Sequence, residues 1–330
     1  MRLTGMRTRA ALIGAASVAL LALLALLWPG FPGRQGAAAR LLVNGGDGGG
    51  MPRVRPLEEH LDAAALDNAS RDVAAQGLQA LIVLRRGYIV YERYGQGFDG
   101  ASIIDSGAFA QVLLALAAGI AAHDDRLPLQ SLIGFDPPRV RDAIETGSGQ
   151  SYPDFLSLRL WRRVNAAPAW IAMPTTASAA SSAAGAGVPV DCCFHARLLD
   201  WLRVAAVLLD DGRFEDKAVV PPGWVARMRR PVSASGTEGF GVELAPAAHG
   251  AEAFAADDVF FLRGPGRWRL WLMPTLDLGV LFGSGSGAQA TGAAAAWDET
   301  RLPNLVIRAV SEQVQQRSPG SQLQQLVPGH

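Results

Sequence analysis

Acyl transfer through a serine needs a hydroxyl and a base one helical turn apart, so that the base can take the hydroxyl proton. In this 330-residue sequence a serine leads the apolar, helix-forming run SGAFAQVLLALAAG, Ser106 to Gly119, which follows two β-rich stretches in LIVLRRGYIVYERYG, Leu81 to Gly95. The residue three positions after Ser106 is Phe109, not a base. The chain has 29 arginines and a single lysine, Lys217, and Phe214 stands three residues before it, so Ser-x-x-Lys occurs nowhere. Ser106 is left as a substitute nucleophile without a nearby base. With Asp105 it also reads as a helix cap, because Ser and Asp accept hydrogen bonds from the free amides of a first turn.

Other catalytic patterns are missing from the sequence. The five histidines, His60, His123, His195, His249 and His330, form neither His-Glu-x-x-His nor a metal-ligand spacing. GSGSG, Gly283 to Gly287, has glycine at the centre where a nucleophile elbow needs serine. Asp210-Asp211 and Asp257-Asp258 are adjacent carboxylates whose directions diverge, which suits solvated turns. The glycines of VNGGDGGG follow no strand and lack the Gly-Lys-Ser/Thr ending of a phosphate loop. Cys192 and Cys193 are the only cysteines. Neighbouring residues of a strand point to opposite faces, so a disulfide between them is disfavoured and small buried apolar residues are expected. No metal and no cofactor is implied.

Thirty basic and thirty acidic side chains cancel, so no global field draws the chain to nucleic acid. Arg2, Arg7 and Arg9 precede an uncharged run, Ala10 to Gly33, whose leucine-rich part up to Trp28 is long enough to cross a bilayer as a helix. The positive flank predicts a cytoplasmic N-terminus and an extracytoplasmic remainder. Ala37 to Ala39 leave a cleaved signal peptide as the rival reading, but the long apolar run ending in Trp28-Pro29 favours an uncleaved anchor in the inner membrane.

Residues 1–29 are thus read as anchor or signal sequence, 30–51 as a flexible Gly/Ala-rich linker, 52–315 as one domain and 316–330 as a disordered tail. Within the domain, Leu57, Leu61, Leu66 and Val73 predict an amphipathic helix over Leu57 to Gln76. Leu78 to Leu84 and Tyr88 to Tyr94 predict a hairpin around Arg86-Gly87, and Ala108 to Ala122 a buried helix. Further helices are expected over Pro153–Val164, Ala196–Asp210 and Trp297–Gln315, and a loop over Ile171–Val188. Short β candidates at Gly239–Leu244, Val259–Arg263, Trp268–Met273 and Leu278–Phe282 would complete one antiparallel sheet with the hairpin.

The hairpin followed by the Ser106 helix resembles the serine β-lactamase and penicillin-binding-protein superfamily, especially its esterase and 6-aminohexanoate-oligomer hydrolase branch. SYPDFLSLRLWRRVNAAPAW (Ser151 to Trp170), CCFHARLLDWLRVAAVLLDDGRFEDKAVVPPGWV (Cys192 to Val225) and WDETRLPNLVIRAV (Trp297 to Val310) extend the likeness over most of Leu57 to Val310. The resemblance implies an α+β fold, an antiparallel sheet flanked by helices, here with a shortened helical region. It also implies a Ser-x-x-Lys at the start of the helix; aligned without a gap, the serine falls on Ala108 and the lysine on Gln111. The family's tyrosine element has no room between Gln111 and Ser151, and Tyr152 aligns with a structural position. The family's third element, a cation-bearing strand lining the pocket, falls on Arg263-Gly264-Pro265-Gly266-Arg267, where Arg263, Gly264 and Gly266 either contact a ligand carboxylate or form a tight turn with solvated arginines. The expectation is a membrane-anchored, periplasmic serine-hydrolase homologue that has lost catalysis and binds a cell-envelope ligand or a protein partner. The alternatives are an active esterase, amidase or peptidoglycan-directed enzyme using an unusual nucleophile, and a decayed reading frame.

Overall fold

A computed structural model of the chain describes residues 39–74, 76–128, 135–173, 188–190, 192–244, 252–284 and 298–311. The expected anchor, most of the loop Ile171–Val188, Trp297 and the tail 316–330 lie outside these residues. Among the described residues no helix is long and apolar enough to cross a membrane.

The central element is a six-stranded antiparallel sheet of order β3-β2-β12-β11-β10-β9. Its strands are β2 Leu78–Arg85, β3 Tyr88–Tyr94, β9 Glu243–Leu244, β10 Phe260–Arg263, β11 Arg269–Met273 and β12 Leu278–Ser284. The β2–β3 hairpin and the four C-terminal strands therefore join as the sequence pattern requires. Side chains alternate across β2: Ala80, Ile82 and Leu84 enter one apolar core, Leu81 and Val83 the other. Burial on both faces explains the continuous apolar run.

One face is covered by α1 Ala63–Ala74 and the closing helix α7 Arg301–Arg308, through Leu66, Val73, Leu302 and Val306. The predicted first helix is shorter than its pattern. Pro56–Glu59 form a 3-10 turn, His60 adopts a left-handed φ of 59°, and the helix restarts where Asp62 Oδ1 accepts from the amides of Ala64 (2.8 Å) and Ala65 (3.3 Å). Leu57, counted in the helical stripe, is 80% exposed. At the other end of the domain, α7 stops early because Val310 bridges to Leu61 and the Ser311 amide donates to His60 O at 2.9 Å.

The second face carries α2 Ala110–His123, preceded by a 3-10 turn Gly107–Phe109, together with α5 Leu198–Leu209 and the short α6 Trp224–Met228. α2 is buried on nearly every side, which its lack of any charge before His123 permits. Between α2 and α5 lie α3 Pro137–Ser148 and α4 Tyr152–Leu156, the latter running on through a π-helical turn Ser157–Trp161. α3 was not anticipated. Asp136 caps it, Pro137 opens it and Gly149 closes it in a left-handed conformation.

A second, four-stranded sheet has the order β1-β5-β6-β4, from β1 Arg40–Val43, β5 Ala169–Ala172, β6 Phe194–Arg197 and β4 Ile103–Asp105. A small ribbon, β7 Arg213–Phe214 with β8 Lys217–Ala218, completes the strands described. β1 corrects the linker expectation for 30–51. Arg40 to Val43 pair with Ala172 to Ala169, the Asn44 amide donates to Ser157 Oγ at 2.8 Å, and Gly45 and Gly48 lie so close to Ala166 and Ala167 that a Cβ would collide with them. These glycines provide close approach to another segment rather than slack.

Cys192 and Cys193 require a second correction: they form a disulfide, with Cα atoms 3.7 Å apart. The strand argument does not apply to them, because β6 begins only at Phe194 and Cys193 has a φ of +67°. That turn brings the two side chains together, and both residues are partly exposed rather than core.

Candidate functional site

The site is built where β4 hands over to α2, beside the β10–β11 turn. Gly107, with φ +49°, makes the sharp turn, and its amide donates to Asp105 Oδ1 at 3.1 Å. Asp105 is thus the capping residue. Ser106 is not: both its amide (2.9 Å) and its hydroxyl (2.7 Å) donate to the Phe194 carbonyl, and the residue is fully buried. Its hydroxyl proton is committed to a backbone acceptor and no base stands beside it.

One turn on, Ala108 is exposed and Gln111 half-buried, and both open onto a cleft of ≈ 390 Å³. Phe135 and Pro137 form its apolar wall, supplied by the shortened stretch in which no tyrosine element could be found. The opposite wall comes from Val242 and Leu262, with Glu238, Glu243 and Arg263 at the polar end. α2 is held in register behind the cleft by the Trp224 indole, which donates to Ala115 O at 3.0 Å.

Arg263 does line the cleft, as the resemblance implies, but its guanidinium is already neutralised. It donates to Glu243 Oε1 at 2.8 Å and Oε2 at 2.7 Å, and to Glu299 Oε1 at 2.9 Å. The Glu243 hydrogen bonds and charge hold the Arg263 guanidinium above its usual pKa. Glu299 is 7% exposed and also pairs with the buried Arg269 at 2.6 Å. The carboxylate-binding reading of Arg263 therefore gives way to an internal ion network. Gly264 and Gly266 belong to the tight turn: the Gly264 amide donates to Trp268 O at 2.9 Å, and Gly266 takes a φ of 59°. The turn still abuts the helix start, since a Cβ on Gly107 would meet the Pro265 ring.

The tyrosines supply no base to this cleft. Tyr152 is buried outside it, and burial pushes its hydroxyl well above the usual range. Tyr94 is likewise raised, by burial and by its hydrogen bond to Glu92 at 2.8 Å. His60, His123 and His195 do not line the cleft, His249 and His330 lie outside the described residues, and Lys217 is exposed on β8. Among the described residues no group of His, Cys, Asp and Glu could hold a metal ion. A larger cleft of ≈ 450 Å³ sits at the other end of the hairpin, lined by Arg86, Tyr88, Arg203, Arg213 and Asp277. It lacks any serine, cysteine or histidine and carries no acyl-transfer chemistry. The site residues missed in the sequence are Glu243, Glu299 and Glu238; the two ion-pair partners stand 20 and 36 residues from Arg263, and only the β9–β10 pairing and the turn before α7 bring them to it.

No protein-family model matches the sequence, and no curated protein matches it significantly. Solved structures do match. A structure described as a 6-aminohexanoate-dimer hydrolase from Bacillus anthracis superposes with a TM-score of 0.60 at 12% identity, covering 88% of this chain and 93% of that one. The fold is that of the serine β-lactamases and penicillin-binding-protein homologues. A family VIII carboxylesterase shares it with a TM-score of 0.54 at 11% identity, over 79% of this chain and 99% of that one. So does a penicillin-binding-protein homologue from Caulobacter crescentus, with a TM-score of 0.53 at 12% identity, over 78% and 98%. Within this β-lactamase-like fold, Ala108 and Gln111 line the cleft.

Proposed function

We propose that this chain is a membrane-anchored, extracytoplasmic protein of the serine-hydrolase fold that binds a ligand in the Ala108 cleft without hydrolysing it. The observation that carries the reading is the pairing of an exposed Ala108 with Gln111 at the mouth of an open cleft. Alanine has no nucleophile, and the glutamine amide is not a usable base. Ser106, two residues away, has its hydroxyl bonded to Phe194 O and is shielded from solvent. Because Arg263 is neutralised by Glu243 and Glu299, and Glu238 and Gln111 also line the cleft, the site favours a neutral ligand of the cell envelope with polar groups over a free carboxylate. The Cys192–Cys193 disulfide supports an oxidising compartment, in keeping with the arginine-flanked apolar segment before Trp28.

Treating the purified full chain with a fluorophosphonate probe and with a fluorescent penicillin tests the proposal. No stoichiometric adduct is expected by intact-mass measurement. An adduct that maps to Ser106 and vanishes in Ser106→Ala would overturn it in favour of an active hydrolase.

A further inference from the structure

The four-stranded sheet has one buried and one outward face. Val43, Ile104, Ala169, Ile171, Phe194 and Ala196 point into the core, while their strand neighbours alternate outward. The register sets Leu42, Trp170, His195 and Asp105 in one row across all four strands, with Arg40 beside it and Ile103 opposite Arg197. Leu42 is 56% and Ile103 48% exposed, large apolar side chains left in solvent. The Trp170 ring lies between the Arg40 guanidinium, 5.0 Å from its centroid, and the parallel His195 ring at 5.1 Å. Asp105, the acidic residue of the face, is occupied with the Gly107 amide.

We infer that this face docks on the anionic headgroup surface of the bilayer that holds the chain, a step that rests on the anchored reading above. Two observations select that occupant. First, the tether ends here: the apolar segment closes at Trp28, and residues 29–39 lead directly into β1. Eleven Gly/Ala-rich residues span at most about 40 Å when extended and on the order of 18 Å as a flexible coil. A surface held that near needs little intrinsic affinity, because its effective concentration is high. Second, the chemistry is interfacial. A tryptophan with apolar tips beside it suits the headgroup boundary, and Arg40 and Arg197 match lipid phosphates in charge and geometry.

The test uses the full chain in mixed phosphatidylcholine–phosphatidylglycerol vesicles containing brominated lipid, with Trp28→Phe to silence the anchor segment. The expected result is bromine-dependent quenching of tryptophan emission that is mostly lost on Trp170→Phe, and also lost in the Leu42→Asp/Ile103→Asp double variant while its melting temperature stays unchanged. Quenching that is absent, or indifferent to both variants, in a chain that resists alkaline carbonate extraction overturns the docking and leaves the anchor standing. A chain stripped by carbonate instead removes the anchor reading, and the docking with it. A dimer in detergent micelles that Leu42→Asp dissociates would assign the face to a second copy and likewise overturn the proposal.

Discussion

Glu299 lies between two arginines, accepting from Arg263 Nη1 at 2.9 Å and from Arg269 Nε at 2.7 Å. Burial pulls the Arg269 guanidinium below its usual pKa, and the Glu299 hydrogen bond and charge oppose that shift, so the pair is held by a carboxylate that cannot be replaced by water. Removing one member of a buried pair leaves an uncompensated charge, at a cost of about 3 kcal/mol. Glu299→Gln is therefore expected to lower unfolding free energy by about that amount in a urea titration, whereas Glu243→Gln, on the half-exposed side of Arg263, costs less than about 1 kcal/mol. Equal effects of the two would mean that Arg269 is compensated by another group. At this scale the sequence showed which residues are missing and not which are engaged. Ala108, Gln111 and the isolated Lys217 could be read by counting, since absence of a residue type needs no geometry. The clamp on Arg263 could not, because Glu243 and Glu299 reach it only through the β9–β10 pairing and the turn before α7.

The elements that position the cleft are held by close approach and by ion pairs at their margins. Gly119 on α2 faces the Trp224 indole so closely that a Cβ would overlap it. Gly119→Ala, favourable by helix propensity alone, is predicted to destabilise by about 1–3 kcal/mol through overpacking; thermal unfolding at unchanged far-UV ellipticity checks it. Between α1 and α7, Arg301 grips Asp72 through both carboxylate oxygens, one at 2.7 Å, and this holds the Asp72 carboxyl below its usual pKa. An aspartate with a lowered folded pKa takes up its proton more readily when unfolded, so its contribution is complete above about pH 4 and is lost as pH falls through the folded value. For a pair with Arg301 largely exposed the contribution is under about 1 kcal/mol. Asp72→Asn should remove that part of the acid limb of stability and leave pH-independent behaviour above it, in parallel urea titrations from pH 3 to 7. A wild-type limb retained in the variant would assign it to Glu92 and the other paired carboxylates. Elements with strong periodicity, such as the hairpin and α2, could be read from the sequence. β1 could not, because four residues ahead of a glycine run carry no pattern that separates a strand from a tether. α3 was missed although its Asp-Pro-Pro start and Gly149 stop are ordinary signals.

At the scale of the molecule, the glycine-rich stretch determines where the domain begins. A chain starting at Pro52 keeps every element that the family resemblance covers, yet it loses β1 and the packing of Asn44 to Met51. Val43 (fully buried) and Met51 (5% exposed) leave the main core, and burial of such side chains stabilises by about 1.5–3 kcal/mol each. The same cut removes the Gly49 carbonyl that accepts from Nη2 of Arg203, a residue that is 3% exposed and pairs with Asp200 at 3.3 Å. Burial already pushes Arg203 below and Asp200 above their usual pKa values, so losing one acceptor there leaves a desolvated cation with a single partner. Together these losses are on the order of 5 kcal/mol, which is the lower end of the stability of a whole domain. A chain starting at Ala39 is predicted to melt cooperatively at the temperature of the full chain, and one starting at Pro52 to be unfolded or lower by well over about 10 °C. Matching melting curves for the two would return residues 40–51 to the role of linker. The predicted gap would instead make β1 part of the second sheet, whose β6 supplies the Phe194 carbonyl that holds Ser106.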